Sequence, residues 1–307
     1  MRAVRYDRYG PPEVLHVADV PDPVATPGEV LVDVHASGAG LGEVAIREGR
    51  LRTVMPGKLP RGIGNDFAGV VVHDAGGFHA GDRVWGVLPW RTFGATAERI
   101  ALPAARLAPA PANLTLTEAA ALPVSGTTVL TALDDRITLR RGDRLLVRGA
   151  AGAVGVVAVQ YGRAVGAHVT ALAGARALDL VRELGADEAL DYRTTSPADL
   201  GRFDVVLDLV GTQLRAYRRL LSPKGRLIAL VADPDHLLRS LLAGLLPGVV
   251  AFSNNPPAAR IAQLTALVEQ GAIRPVISAT LPMTEAAEAH RRVAKGGVPG
   301  RLVLTRA

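Results

Sequence analysis

The sequence predicts an α/β chain in two parts, a β-rich first part and a second part built as a doubly wound parallel sheet covered by helices. Three observations carry this. Glycine and proline punctuate short apolar runs throughout residues 1–120. From residue 142 onward the texture changes to alternating strand-length and helix-length apolar segments. At the head of that second part, residues 143–166 run from a strand through Gly149, Gly152 and Gly155 into a helix.

Residues 4–6, 15–17 and 30–34 are the first strand-like runs. Gly10-Pro11-Pro12, Pro21-Asp22-Pro23 and Thr26-Pro27-Gly28 separate them with turn chemistry. Further strands are expected over 68–73, 82–87 and 95–101, which suits an irregular β-rich barrel. Residues 103–111 read as a connector. Thr115-Leu116-Thr117-Glu118 has the form of a helix cap and opens a helical region that runs to residue 133. The alternation then begins: strand 145–147, helix 154–165, strand 168–172, helix 175–184, strands 189–192 and 203–209, helix 213–221, strand 226–231. Residues 248–252 are a short apolar strand-like segment. An amphipathic helix over 258–270 ends at Gly271. The tail, 275–279, a helix over 284–293, and 301–304, looks like a return to the first part.

The glycine turn has a backbone logic. Gly152 lacks a Cβ, so a pyrophosphate can approach the main chain, and Gly155 lets the helix pack closely on the strand. The free N–H groups and positive dipole end of the helix then face the phosphates. The pattern is Ala150-x-Gly152-x-x-Gly155, with alanine where the strict fingerprint has its first glycine. A tight strand–helix turn without a ligand is the alternative.

The chain has 307 residues, 49% apolar and 21% charged, the profile of a globular protein with ample core. No apolar run approaches the roughly 18 residues of a spanning helix, and the longest, 237–252, is broken by Arg239, Gly244 and Pro247. The first residues hold neither an apolar signal core nor a cleavage site, which predicts a cytoplasmic protein. The net charge of +6 comes from scattered arginines, and two Trp, five Tyr and five Phe are too few and too dispersed for a nucleic-acid stripe. Cysteine is absent, which removes disulfides, thiolate metal sites and cysteine nucleophiles together.

Several stretches, in order and at fitting spacing, resemble the zinc-independent medium-chain dehydrogenase/reductases, in their quinone oxidoreductase (zeta-crystallin-like) branch. They are the opening fifteen residues, Pro27-Gly28-Glu29-Val30-Leu31-Val32, Gly64-Asn65-Asp66-Phe67-Ala68-Gly69 and Gly81-Asp82-Arg83-Val84-Trp85-Gly86. Ala121-Leu122-Pro123-Val124-Ser125-Gly126-Thr127-Thr128, Phe203-Asp204-Val205-Val206-Leu207-Asp208-Leu209-Val210-Gly211 and the closing 271–304 continue the likeness. The resemblance implies a GroES-like β-rich catalytic domain over 1–120 and 258–307, and a Rossmann NADP-binding domain over 121–257. It implies a pyrophosphate held by Ala150, Ala151, Gly152, Ala153, Val154 and Gly155. Thr128 falls where the family has a threonine near the nicotinamide ribose. Val210 and Gly211 would flank the nicotinamide, with Phe252, Ser253 and Asn254 on its other side. For each, a plain structural role is the alternative.

The implied activity is NADPH-dependent reduction of a quinone or an α,β-unsaturated carbonyl, an electrophilic small molecule, by direct hydride transfer. An enoyl-thioester reductase and a low-turnover NADPH-binding protein with a structural or regulatory role stand as alternatives. The preference for NADPH is electrostatic. Where NAD enzymes carry a carboxylate at the end of the second strand, this chain has Ala173-Gly174-Ala175-Arg176. Gly174 leaves room for a 2′-phosphate, Arg176 can pair with it, and Tyr192 matches a family position beside the same phosphate. Zinc is not expected, because Asn65 stands where related zinc enzymes place a histidine ligand and no cysteine exists. His73 and His79 are read as solvent-facing. The chain departs from the branch at Ala39-Gly40-Leu41-Gly42-Glu43, where Val-Asn-Pro-x-Asp is common. Gly40 removes an amide, and Glu43 keeps a carboxylate one methylene longer. The sequence names no catalytic acid: Glu43 is a candidate against a structural or exposed carboxylate, and solvent can supply the proton. The apolar edge at 248–252 predicts a homodimer through the cofactor domain, against an internal strand covered by a preceding leucine-rich helix.

Overall fold

A computed structural model of the chain describes all residues except 54, 90, 231–246, 251, 253 and 307. Eight strands come first: β1 (Arg2–Tyr6), β2 (His16–Asp19), β3 (Glu29–Ala39), β4 (Arg61–Gly62), β5 (Asp66–Val71), β6 (Arg83–Val87), β7 (Arg99–Pro103) and β8 (Leu107–Pro109). Helix α1 (Leu41–Arg47) interrupts them, and α2 (Leu116–Ala119) and α3 (Pro123–Leu130) follow. Then come β9 (Arg144–Arg148), α4 (Ala153–Val165), β10 (His168–Ala173), α5 (Leu178–Glu183) and β11 (Glu188–Asp191). β12 (Phe203–Asp208), α6 (Leu214–Arg218), β13 (Leu221–Ala229) and β14 (Val249–Val250) complete that series. The chain ends with α7 (Ala258–Glu269), β15 (Ile277–Pro282), α8 (Ala286–Lys295) and β16 (Arg301–Thr305). Among the described residues no helix is long and apolar enough to cross a membrane.

The chain divides into two compact units, Met1–Thr127 with Asn254–Ala307, and Thr128–Ser253. The first holds a sheet in the order β15-β16-β3-β5-β6-β8, with β7 also pairing β3, and a small sheet β2-β1-β4. β3 is its spine. Val30, Val32 and Val34 alternate inward and meet Phe67, Val84 and Leu102 in one core cluster, as a strand with one buried face requires. A second cluster joins Val4, Tyr6, Met283, Ala289 and Leu302, so the C-terminal elements pack against the N-terminal ones.

The second unit is a six-stranded parallel sheet in the order β11-β10-β9-β12-β13-β14. Numbered within the unit this is 3-2-1-4-5-6, the doubly wound order whose direction reverses beside the first strand. Leu146, Leu172, Val206 and Leu227 fill its core. Strands buried on both faces read as unbroken apolar runs, which is why 145–147 and the 205–207 centre of 203–209 read as strands.

Two local expectations are corrected, and α1 is a helix that the sequence reading did not place. The 103–111 connector includes β8, paired with β6. The helical region ending at 133 is α2, then α3, then a π-helical turn over Thr131–Arg136. The leucine-rich stretch before 247 lies outside the described residues.

Candidate functional site: a dinucleotide cradle and a buried polar cluster

In the parallel sheet β10 and β11 continue to one side of β9, and β12 to β14 continue to the other. The turns after β9 and β12 therefore emerge side by side at the switch point, where open α/β sheets bind ligands. After β9 the chain reverses at Gly149, whose φ of +74° is left-handed. The N–H groups of Gly149 and Ala150 donate to the Leu172 carbonyl at 3.2 and 3.0 Å, and Gly152 N–H to the Gly149 carbonyl at 3.0 Å. Gly152 is the N-cap of α4 and no side chain caps that end. The first-turn amides of Ala153, Val154 and Gly155 are thus left for an anion, in the positive field of a 13-residue helix.

The glycines divide the work differently from the sequence reading. A Cβ on Gly152 would meet only the Gly149 oxygen, at 3.4 Å, so this position is open. A Cβ on Gly155 would lie 2.2 Å from the Gly149 oxygen and 2.7 Å from Ala150, so this glycine serves the turn itself. Close packing of α4 on the strands falls to Gly162, where a Cβ would be 2.8 Å from Val169 and 2.9 Å from Leu145.

A buried ion pair underlies both turns, and the sequence reading missed it. Arg148 and Asp208 are register partners at the ends of β9 and β12, and Arg148 Nη1 lies 2.6 Å from Asp208 Oδ2. Asp208 Oδ1 accepts from the N–H groups of Val210 and Gly211 at 2.9 and 3.0 Å. Arg148 donates to the Thr212 carbonyl at 2.8 Å, and its guanidinium sits 3.6 Å from the centre of the Tyr217 ring. The turn after β12 is thereby clamped, with Val210 half-exposed and Gly211 at φ +79°. A Cβ on Gly149 would touch Leu209 and Val210 at 3.4 Å, so the two turns are neighbours. The signal for this pair was present: opposite charges end two apolar runs, Leu-Leu-Val-Arg and Val-Val-Leu-Asp.

At the ends of β10 and β11 the structure brings Gly174 and Tyr192 together. Tyr192 N–H donates to the Ala173 carbonyl at 3.1 Å, and a Cβ on Gly174 would be 3.6 Å from the Tyr192 ring. The ring is exposed, with the Arg193 guanidinium 5.3 Å from its centre. Arg176 is exposed at the head of the following turn. The carboxylate at the end of β11, Asp191, accepts from the Arg193 N–H at 3.0 Å. Arg193 is a second cation at this end that the sequence reading passed over. Thr128 is buried within α3. Asn254 Nδ2 donates to Thr127 Oγ1 at 2.9 Å within the first unit. Phe252 is partly buried, and Ser253 lies outside the described residues.

The first unit has its own polar centre. A Cβ on Gly38 would fall 2.5 Å from Arg301 Nε, and one on Gly40 would fall 2.8 Å from Arg301 Nη1. The space that Gly40 leaves is thus taken by a guanidinium, which pairs with buried Asp66 at 2.8 Å. The other Asp66 oxygen accepts from Val124 N–H at 3.2 Å. Glu43, in the first turn of α1, is buried, which decides against an exposed carboxylate. Burial pushes its carboxyl up to about 8; the Arg301 charge opposes the rise, Asp66 adds to it, and the amides of Gly64 and Asn65 oppose it. Glu43 therefore holds a proton at neutral pH. His290 on α8 is fully buried, and burial, with the Arg47 charge, pushes it down to about 3. Its Nε2 is 3.9 Å from Glu43 Oε2, and with both groups neutral this is no ion pair. Glu43 Oε2, both His290 nitrogens and the Asn65 side-chain oxygen have no protein hydrogen-bond partner.

Residues 26–112 match the family model for the alcohol dehydrogenase GroES-like domain, and residues 184–304 match that for a zinc-binding dehydrogenase. The chain is 30% identical to a chloroplast envelope quinone oxidoreductase homolog of Arabidopsis thaliana, over 99% of this chain and 98% of that protein. It is 31% identical to a mitochondrial NAD(P)H oxidoreductase of Mus musculus, over 97% of this chain and 87% of that protein. The solved quinone oxidoreductase of Coxiella burnetii superposes with a TM-score of 0.90 at 26% identity, covering 100% of this chain and 99% of the other.

Proposed function

Because the chain belongs to the quinone oxidoreductase branch of the medium-chain dehydrogenase/reductases, we propose that it reduces a quinone or an α,β-unsaturated carbonyl with NADPH, without zinc. The observation that carries this reading is the uncapped N-terminus of α4 over Gly152, beside the clamped turn 209–212. That cradle fits a dinucleotide: the amides of Ala153 to Gly155 would hold the pyrophosphate, while Val210 and Gly211 would border the nicotinamide. The bound nicotinamide would supply the hydride. The protein's part is to hold it, through a turn fixed by Arg148 and Asp208, and to exclude alternatives.

The residues do not fit zinc. Asn65 is a poor ligand, the chain has no cysteine, and His73 and His79 are exposed, with His79 beside Asp74. Among the described residues no three His, Asp or Glu side chains are grouped to hold a metal. A conjugated acceptor needs no Lewis acid, because the negative charge spreads over its own oxygen system. Glu43 in its neutral form carries a proton, yet it is buried beneath Gly64 and Asn65, so solvent is the simpler source.

Preference for NADPH rests on the absence of a carboxylate at the end of β10, on the exposed Arg176 in the turn that follows it, and on Arg193 beside the Tyr192 ring. Steady-state oxidation of NADPH and NADH across a panel of quinones, enones and enoyl thioesters tests the whole reading. Turnover of quinones or enones with NADPH, undiminished by exhaustive chelation, is the expected result. Arg176→Ala should raise the KM for NADPH about tenfold and leave that for NADH nearly unchanged. Stoichiometric zinc on elemental analysis, or a wild-type preference for NADH, would overturn it.

A further inference from the structure

The first unit contains a cationic cavity that this reading leaves unused. It has a volume of about 330 Å³ and lies beside β1 and β4, lined by Arg5, Lys58, Arg61 and Arg91. Among the described residues no aspartate or glutamate lines it. Arg61 is only 9% exposed, and its partners are the Met55 carbonyl at 3.3 Å and the Phe93 ring, whose centre is 5.9 Å from the guanidinium. Arg5 donates to the Pro60 carbonyl at 2.9 Å, while its Nε is buried without a partner. Two acids of the first unit are engaged away from the cavity. Asp22 holds the Met1 ammonium and Arg99, and Glu98 holds Arg2.

A nearly buried guanidinium without a counter-charge is costly, and like charges lining one small open cleft repel each other. An anion bound among them would reverse both effects. Guanidinium forks match the oxygens of a phosphate in pairs, and several cations around one small volume suit a doubly charged group better than a single carboxylate. A base-stacking platform is not on offer, since the aromatic ring in the wall already lies against Arg61. The volume falls at the lower end for a small-molecule site, which is about 300–1,000 Å³.

We propose that this cavity binds a phosphate group, either as free phosphate or as the phosphorylated end of the acceptor. The second source rests on the oxidoreductase reading above; the binding itself does not. Of its lining cations Arg61 is nearly buried, whereas Lys58 and Arg91 are exposed.

Calorimetric titration of the full chain with inorganic phosphate at low ionic strength tests the binding. The expected result is one saturable site, weakened at least tenfold in Lys58→Ala/Arg91→Ala, whose exposed positions leave the core intact, and likewise in Arg61→Gln. Absence of saturable binding at millimolar phosphate, or equal binding by the double variant, overturns the proposal. Reduction of one acceptor with and without a terminal phosphate separates the two sources. A phosphorylated acceptor preferred at least tenfold in kcat/KM, with the preference lost in the double variant, assigns the site to the substrate. Equal kcat/KM for the pair refutes the substrate source and leaves free phosphate as the ligand. A chain that reduces no acceptor at all refutes the function proposed above, and the calorimetric result still decides the site.

Discussion

Glu43 and His290 face each other within the first unit with opposite consequences for stability. The folded chain raises the Glu43 carboxyl from 4.5 to about 8 and lowers His290 from 6.5 to about 3. Glu43 therefore binds a proton on folding between pH 4.5 and 8, so its contribution falls as pH rises through that window. His290 gives up a proton on folding between pH 3 and 6.5, so its contribution falls as pH drops through that range. Over 4.5–6.5 the two slopes cancel. From 6.5 to 8 the Glu43 slope outweighs that of His290, and stability should decline by roughly 1 kcal/mol across the window. Urea unfolding at pH 6.5, 7.25 and 8 should show this decline in the wild type and none in Glu43→Gln. The same slope in both proteins would remove Glu43 as its source. Little of this pair was legible in the sequence. The segment 40–43 stood out by its departure from the branch, but the group filling the space at Gly40 is Arg301, at the far end of the chain. Nor does any local pattern distinguish a buried histidine on an amphipathic helix from an exposed one.

Helix α4 shows what an element demands of its glycines. Gly162 faces Val169 and Leu145 at distances that leave no room for a methyl group. Gly162→Ala should cost about 1–3 kcal/mol by overpacking, against a helix-propensity gain of at most about 1 kcal/mol. Gly152 has extended backbone and open space, so Gly152→Ala should leave stability within about 0.5 kcal/mol. Its methyl would instead stand where the pyrophosphate is expected, and NADPH affinity should drop at least about tenfold. Denaturant unfolding and fluorescence titration of NADPH on both variants read this double dissociation. Equal losses of stability would show that both glycines serve packing alone. The elements of the second unit were legible because a strand buried on both faces and a helix with one apolar stripe write different periods into the sequence. The misses have equally physical causes. Helix α1 begins in Gly40-Leu41-Gly42, whose propensity is poor, and is held by tertiary burial of Val44, Ala45 and Ile46. Strand β8 hides between Pro103 and Pro111 because its identity comes from pairing with β6 rather than from its own composition. Arg148 and Asp208 looked like polar strand ends, and only the sheet order makes them neighbours.

At the scale of the whole molecule, the parallel sheet of the second unit ends in two strands of different character. One edge, β11, carries Glu188 and Asp191 and lies beside Asp187, a charged border of the kind that discourages further pairing. The opposite edge, β14, is Val249–Val250 and pairs only with β13 among the described residues. Val249 is buried and Val250 half-buried, and this edge carries no charged side chain within β14. A sheet with one charged edge and one apolar edge has a single direction in which a second copy can extend it, and a twofold axis there closes the assembly at two chains. The expectation is therefore a homodimer joined edge to edge through β14. Multi-angle light scattering at micromolar concentration should give twice the chain mass. Val250→Lys, which places a charge at the half-buried position of this strand while leaving Val249 in the core, should shift the population toward the single chain without loss of the folded signal. A wild type of single-chain mass would refute the dimer. A dimer unaffected by the lysine would move its interface away from this edge.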